Sequence, residues 1–146
     1  MSHGFLLDTN VLSETRRSRA DAAVLAFVRQ LDPKQGFLSV LTLGEMRKGA
    51  AALARRNPQG ERALTRWIDA VEINYRENIL EVNLEIAGLW GQFSAGRTRT
   101  VIDTLLAATA IHHGLTLVTR NVRDLEGLPV EVHNPWLPEA DSASRP

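Results

Sequence analysis

Short apolar runs alternate with longer segments of helical periodicity along this chain, and that alternation constrains the fold more than any other feature. Residues 4–8 (GFLLD), 36–40 (GFLSV), 79–82 (ILEV), 115–119 (LTLVT) and 130–133 (VEVH) read as short strands. Between them, residues 9–17, 20–31, 42–56, 61–71, 84–93 and 101–113 read as helices. Ala23, Phe27 and Leu31 share one helix face, as do Leu64, Trp67, Ile68 and Val71, and again Ile86, Leu89, Trp90 and Phe93. Asp32-Pro33, Asn57-Pro58 and Gly114 supply the stops. Strands that alternate with helices predict an α/β fold with a central, mostly parallel sheet covered by helices on both faces. Residues 1–136 form one domain in this reading. The stretch 137–146, rich in Ser, Pro, Glu and Ala, is expected to be a disordered tail.

A chain of 146 residues is large enough to bury about two-thirds of its unfolded surface without a disulfide or metal staple. It contains no cysteine, which removes disulfide frameworks, thiolate zinc sites and cysteine nucleophiles together and suits a reducing compartment. No apolar run approaches the roughly 20 residues that span a bilayer, and the N-terminus lacks the pattern of a signal peptide. The expected address is the cytoplasm, with no membrane partner. The net charge is zero, which by itself does not favour a nucleic-acid binder. Among the basic residues, however, all but Lys34 and Lys48 are arginines, the side chain that grips phosphate bidentately.

Four acids stand at helix starts: Asp8, Glu45, Asp103 and Asp124. Each has an ordinary explanation. Asp8 can cap the helix that follows it, Thr42-Leu-Gly-Glu45 matches a capping box, Thr100-Val-Ile-Asp103 is a variant of it, and Asn121-Val-Arg-Asp124 resembles another helix start. Together they say more. Helices on a parallel sheet begin at the carboxyl edge of the strands, where such sheets bind their ligands, so four such starts can converge. Two carboxylates about 4 Å apart repel by roughly 4 kcal/mol at a surface-like dielectric. A cluster of four must therefore hold protons, recruit arginines or bind a cation. Oxygen-only ligands favour Mg²⁺ or Mn²⁺ over zinc, and hard cations of this kind serve phosphodiester hydrolysis. A lone carboxylate pair of the glycosidase type needs neither the metal nor so many acids.

The blocks LLDTNVLSE (residues 6–14), SVLTLGEMRKG (39–49), VIDTLLAATA (101–110), LVTRNVRDLEG (117–127) and HNPW (133–136), in this order and spacing, resemble the PIN-domain ribonucleases. More narrowly, they are similar to the VapC-type toxins of bacterial toxin–antitoxin pairs, in the branch that includes FitB. The resemblance implies a PIN fold and an endoribonuclease dependent on Mg²⁺ or Mn²⁺. It matches Asp8, Glu45, Asp103 and Asp124 to the family's four acidic positions, with Asp8 and Asp103 as central metal ligands. It matches Asn10, Thr119 and Asn121 to polar positions just outside the metal. It further implies a homodimer held inactive by a VapB-like antitoxin, contact with operator DNA only through that antitoxin, and an RNA substrate. Two features depart from the family pattern: residues 96–100 (GRTRT) lack the usual proline, and Thr104 stands where a small residue is usual. Both bear on the substrate entrance and leave the acids untouched.

Arg16, Arg17, Arg19, Arg97 and Arg99 are candidates for the phosphate path, against the plainer reading of a solvated surface. Trp67 and Trp90 lie on apolar faces and read as core or dimer residues. His112-His113 closes a helix where histidine suits the negative end of the dipole. Two rivals stand beside the nuclease. A phosphatase of the haloacid-dehalogenase type would need an acid two residues after Asp8, where the chain has Asn10. A PIN-like module that binds RNA or antitoxin without cleavage would not need all four acids.

Overall fold

The computed structural model describes residues 3–136. Its strands β1 (Phe5–Leu7), β2 (Gly36–Ser39), β3 (Ile79–Leu80), β4 (Thr116–Val118) and β5 (Val132–His133) form one sheet in the order β3-β2-β1-β4-β5. Every pairing among them is parallel. The helices are α1 (Thr9–Arg16), α2 (Ala22–Gln30), α3 (Val40–Leu53), α4 (Pro58–Tyr75), α5 (Leu84–Ser94) and α6 (Val101–His113). The expected tail at 137–146 lies outside the described residues.

Successive strand residues face opposite sides of the sheet, and the two cores divide accordingly. Leu7, Leu38 and Val118 join Val11, Val24, Met46 and Ile68 beneath α1 to α4. Leu6 and Leu117 join Leu106, Ala107 and Ala110 of α6, with Phe37, Leu80 and Val132 packed alongside, and α5 lies along α6. Burial on both faces is why the strands read as apolar runs rather than as alternating patterns. Leu6 and Leu7 are wholly inaccessible, and burial of each contributes about 1.5–3 kcal/mol.

Local chemistry moves several helix boundaries from where the sequence pattern puts them. The Ser39 hydroxyl accepts from the Leu41 amide at 3.1 Å, so α3 starts at Val40. Thr42 is therefore inside the helix and buried, and the expected Thr42–Glu45 capping box does not form. Thr100 precedes α6 without a side-chain cap; its carbonyl instead accepts the Thr104 hydroxyl at 2.7 Å. Asn121 likewise precedes a 3₁₀ turn, Val122–Leu125, without capping it. Helix α4 runs from Pro58 to Tyr75, beyond the expected 61–71, because Asn57 caps Gly60 and proline fits the first turn. Gly114 ends α6 as expected. It has φ +66°, and the Leu115 amide reaches back to the Ala110 carbonyl at 2.8 Å.

From β1 the chain moves outward through β2 to β3, then returns on the other side of β1 as β4 and β5. The crevice beyond the carboxyl ends of β1 and β4 is thus the switch point of the sheet, where ligands bind in this architecture.

Candidate active site

Asp8 is the first residue beyond β1 and Thr119 the first beyond β4, and the strand register sets Leu7 beside Val118 just before them. Asp8 is 5% exposed and caps α1, its Oδ1 accepting the Thr9 amide at 2.7 Å. Its Oδ2 accepts the Thr119 hydroxyl at 2.7 Å and the Asn10 amide at 3.4 Å. Thr119 Oγ1 in turn accepts from the Asn121 backbone at 3.1 Å and from Asn10 Nδ2 at 3.3 Å. Burial pushes the Asp8 carboxyl above its ordinary range; the bonds from Thr119 and Thr9 oppose this and the Glu45 charge adds to it.

Glu45 projects from the second turn of α3, and its Oε1 accepts the Thr9 hydroxyl at 2.7 Å. Thr9 thus contacts both Asp8 and Glu45, which sequence spacing alone does not reveal. Asp103 lies in the first turn of α6. Burial first, then the charges of Asp8, Asp124 and Glu45, push its carboxyl up from 3.8 to about 6, opposed by a hydrogen bond from the Asn121 side chain. Asp124 is exposed on the 3₁₀ turn after β4. The four sequence-predicted acids therefore come from separate segments and are electrostatically coupled at one place. Asn10, Thr119 and Asn121 bond to them or to each other.

The donor set is all carboxylate, and Asn10 Oδ1 beside it is buried with no hydrogen-bond partner among the described residues. Both features fit a hard cation. No three acids or histidines among the described residues stand close enough to enclose a metal as they are. The site is an open acidic cluster, not a preformed cage.

The candidate arginines divide. Arg17 pairs with buried Glu14 at 3.1 Å, and Arg16 sits 5.7 Å above the Trp67 ring. Arg19 is exposed. Arg97 and Arg99 are turned onto backbone carbonyls of residues 124 and 126. Arg16, Arg17, Arg19 and Arg97 all stay exposed, in keeping with the solvated surface the sequence allowed, and Arg99 is half-buried. Trp67 packs on the larger core. His3 Nε2 meets Thr116 Oγ1 at 2.6 Å across 113 positions of chain. His112 meets the Asn83 side chain at 3.2 Å, and the His133 ring lies 4.8 Å from Phe27. Glu14 was also missed: it is buried and accepts the Asp21 amide at 2.8 Å, closing the turn between α1 and α2.

A parallel sheet with four coupled acids at its switch point defines a class, and comparison identifies it. Residues 5–127 match the model of the PIN domain, and the chain belongs to that family. It is 31% identical over 137 residues to the VapC ribonuclease Y4jK of Sinorhizobium fredii, covering 91% of this chain and 98% of that one. It is also 31% identical to the toxin FitB of Neisseria gonorrhoeae, covering 90% of this chain and 97% of FitB. The solved structure of FitAB bound to the IR36 DNA fragment superposes with a TM-score of 0.84 at 30% identity, over 92% of this chain and 97% of that one. Among the described residues, no helix is long and apolar enough to cross a membrane.

Proposed function

We propose that this chain is the ribonuclease toxin of a toxin–antitoxin pair, cutting RNA phosphodiester bonds with Mg²⁺ or Mn²⁺ held by Asp8, Glu45, Asp103 and Asp124. The observation that carries the reading is Asp103. Its carboxyl is pushed to about 6 by burial and by three acids from other segments, and a cation relieves that repulsion where protons otherwise must. The ribonuclease activity is supported by the relatives, of which one is named a VapC ribonuclease. When bound, the cation supplies an activated water and neutralises charge at the leaving oxygen.

The chain's own residues prepare for that chemistry. Thr119 and Thr9 hold the two Asp8 oxygens, and Thr9 also holds Glu45, so α1 and α3 present their carboxylates in one orientation. Asn121 hydrogen-bonds to the Asp103 carboxyl. Asp124, exposed at the rim, is available to a solvent molecule beside the substrate.

The solved complexes FitAB and FitAcB support a protein partner: a small antitoxin that occupies the toxin and carries any contact with operator DNA. A homodimer and the cytoplasm complete the reading. Labelled RNA incubated with purified chain and Mg²⁺ or Mn²⁺, with and without chelator, tests the activity. Cleavage that survives chelator, or that Asp8→Asn performs as well as the parent, overturns the metal site. Binding of RNA without cleavage under all these conditions leaves the non-catalytic module.

A further inference from the structure

We propose that Arg99 is a positioning residue whose guanidinium ties the turn bearing Asp124 to the entry of α6, which bears Asp103. This rests on the functional reading above only for its catalytic consequence; the tie itself is a matter of geometry.

Arg99 lies two residues before α6 and four before Asp103. Its Nη1 donates to the Asp124 carbonyl at 3.2 Å and its Nη2 to the Glu126 carbonyl at 3.1 Å. Arg97 adds a longer bond to the same Glu126 carbonyl at 3.4 Å. The Arg99 Nε is buried with no acceptor among the described residues, while its two Nη bonds lie at the surface. The turn it grips is otherwise anchored by Leu125 in the α6 core, by the Val122 amide on the Arg120 carbonyl at 3.0 Å, and at its start by the Asn121 bonds to Thr119 and Asp103. Its own closing bonds, Glu126 amide to Arg123 carbonyl and Leu128 amide to Leu125 carbonyl, are 3.3 and 3.2 Å, and only Leu125 of the turn is buried. Immediately beyond, Gly127 has φ +87°, a reversal that favours glycine.

The tie has something to resist. Asp103 and Asp124 repel, and that repulsion drives the turn away from α6. A planar fork can span two carbonyls at once, whereas a lysine ammonium cannot reproduce that geometry.

The experiment uses the full chain and three readouts on Arg99→Ala and Arg99→Lys, with Arg56→Ala, at an exposed position, as a surface control. Amide exchange without metal reports on the turn, calorimetry reports on Mn²⁺ binding, and cleavage kinetics separate kcat from KM. In Arg99→Ala, exchange at Glu126 and Leu128 is expected to quicken about tenfold. Mn²⁺ affinity and kcat are expected to drop by about 10–100-fold while KM for RNA and its salt dependence hold. Arg99→Lys should recover only part of the loss. Unchanged exchange at the turn overturns the proposal. So does a raised KM with a salt slope lower by about one and intact Mn²⁺ binding, the signature of a phosphate contact. Should the parent neither bind Mn²⁺ nor cut RNA, the functional reading fails, and the exchange rates still decide whether Arg99 holds the turn. If Arg99→Ala does not fold, Arg99→Gln, which reaches one carbonyl, takes its place with the same expected outcomes.

Discussion

Thr119 donates its hydroxyl to Oδ2 of Asp8 across 2.7 Å, joining the first residues beyond two adjacent parallel strands. Both groups are buried, Thr119 at 1% and Asp8 at 5% exposure. Removing the hydroxyl leaves that oxygen with only the 3.4 Å contact from Asn10. Thr119→Val is expected to cost about 1–3 kcal/mol of stability at neutral pH and to weaken Mn²⁺ binding by about 10–100-fold. Thr119→Ser should retain most of both. Urea denaturation and calorimetry on the three proteins check this, and a Thr119→Val chain as stable as the parent would remove the bond from the account.

Thr9 gives a second, separable test. Its amide goes to Asp8 and its hydroxyl to Glu45. Thr9→Val preserves the first bond and deletes the second, so Glu45 loses its orientation while the cap of α1 survives. The helix should melt with the parent, and Mn²⁺ affinity should fall about tenfold. A drop in thermal stability with no change in Mn²⁺ binding would place the role of Thr9 in the helix rather than in the site.

The Asp103 carboxyl sets a pH dependence whose direction is opposite to that of a salt-bridged acid. It rises from 3.8 unfolded to about 6 folded, through burial and then through Asp8, Asp124 and Glu45. Between these values the folded chain keeps a proton that the unfolded chain has released, so stability falls as pH rises through the window. Asp8, also raised, contributes with the same sign. Glu14 acts the other way, its carboxyl lowered first by the Asp21 amide, so its contribution is lost only as pH falls below the ordinary glutamate range. The urea midpoint of metal-free chain should therefore decline from about pH 4.5 to 6.5. Asp103→Asn should flatten that decline and exceed the parent at pH 7. Added Mn²⁺ should restore the parent at pH 7 and lose its effect below about pH 6, where Asp103 takes up its proton. A parent midpoint that climbs through this window contradicts the assignment.

The sheet, the order of its helices and the convergence of the four acids were legible because each leaves a local mark: an apolar run, a period, an acid at a helix start. What the sequence hid was set by contacts between distant segments. The Thr42–Glu45 capping pattern is present in the letters, but Ser39 starts the helix one turn earlier by accepting the Leu41 amide, and Glu45 accepts instead from Thr9, 36 residues away. Arg99 carries the charge expected of a phosphate ligand, yet its partners are carbonyls 25 and 27 residues on. His3 finds Thr116 only because β1 and β4 are neighbours. Capping templates and charge describe what a residue can do, and the fold decides which competitor reaches it.

The chemistry of the product ends follows from which group attacks phosphorus. Carboxylates can also serve as the acid and base of a cyclising ribonuclease, so the product ends separate that route from attack by water activated at a cation held by the four acids. On the metal-dependent reading proposed above, water is the nucleophile, and in-line attack leaves a 5′-phosphate and a 3′-hydroxyl. An RNA carrying a single 2′-deoxy sugar at the cleaved position should be cut at a rate comparable to the parent RNA. Its downstream fragment should be labelled by a polynucleotide kinase only after phosphatase treatment. A 2′,3′-cyclic phosphate on the upstream fragment, or loss of cleavage on 2′-deoxy substitution, would assign the attack to the substrate itself and leave the acids a different task.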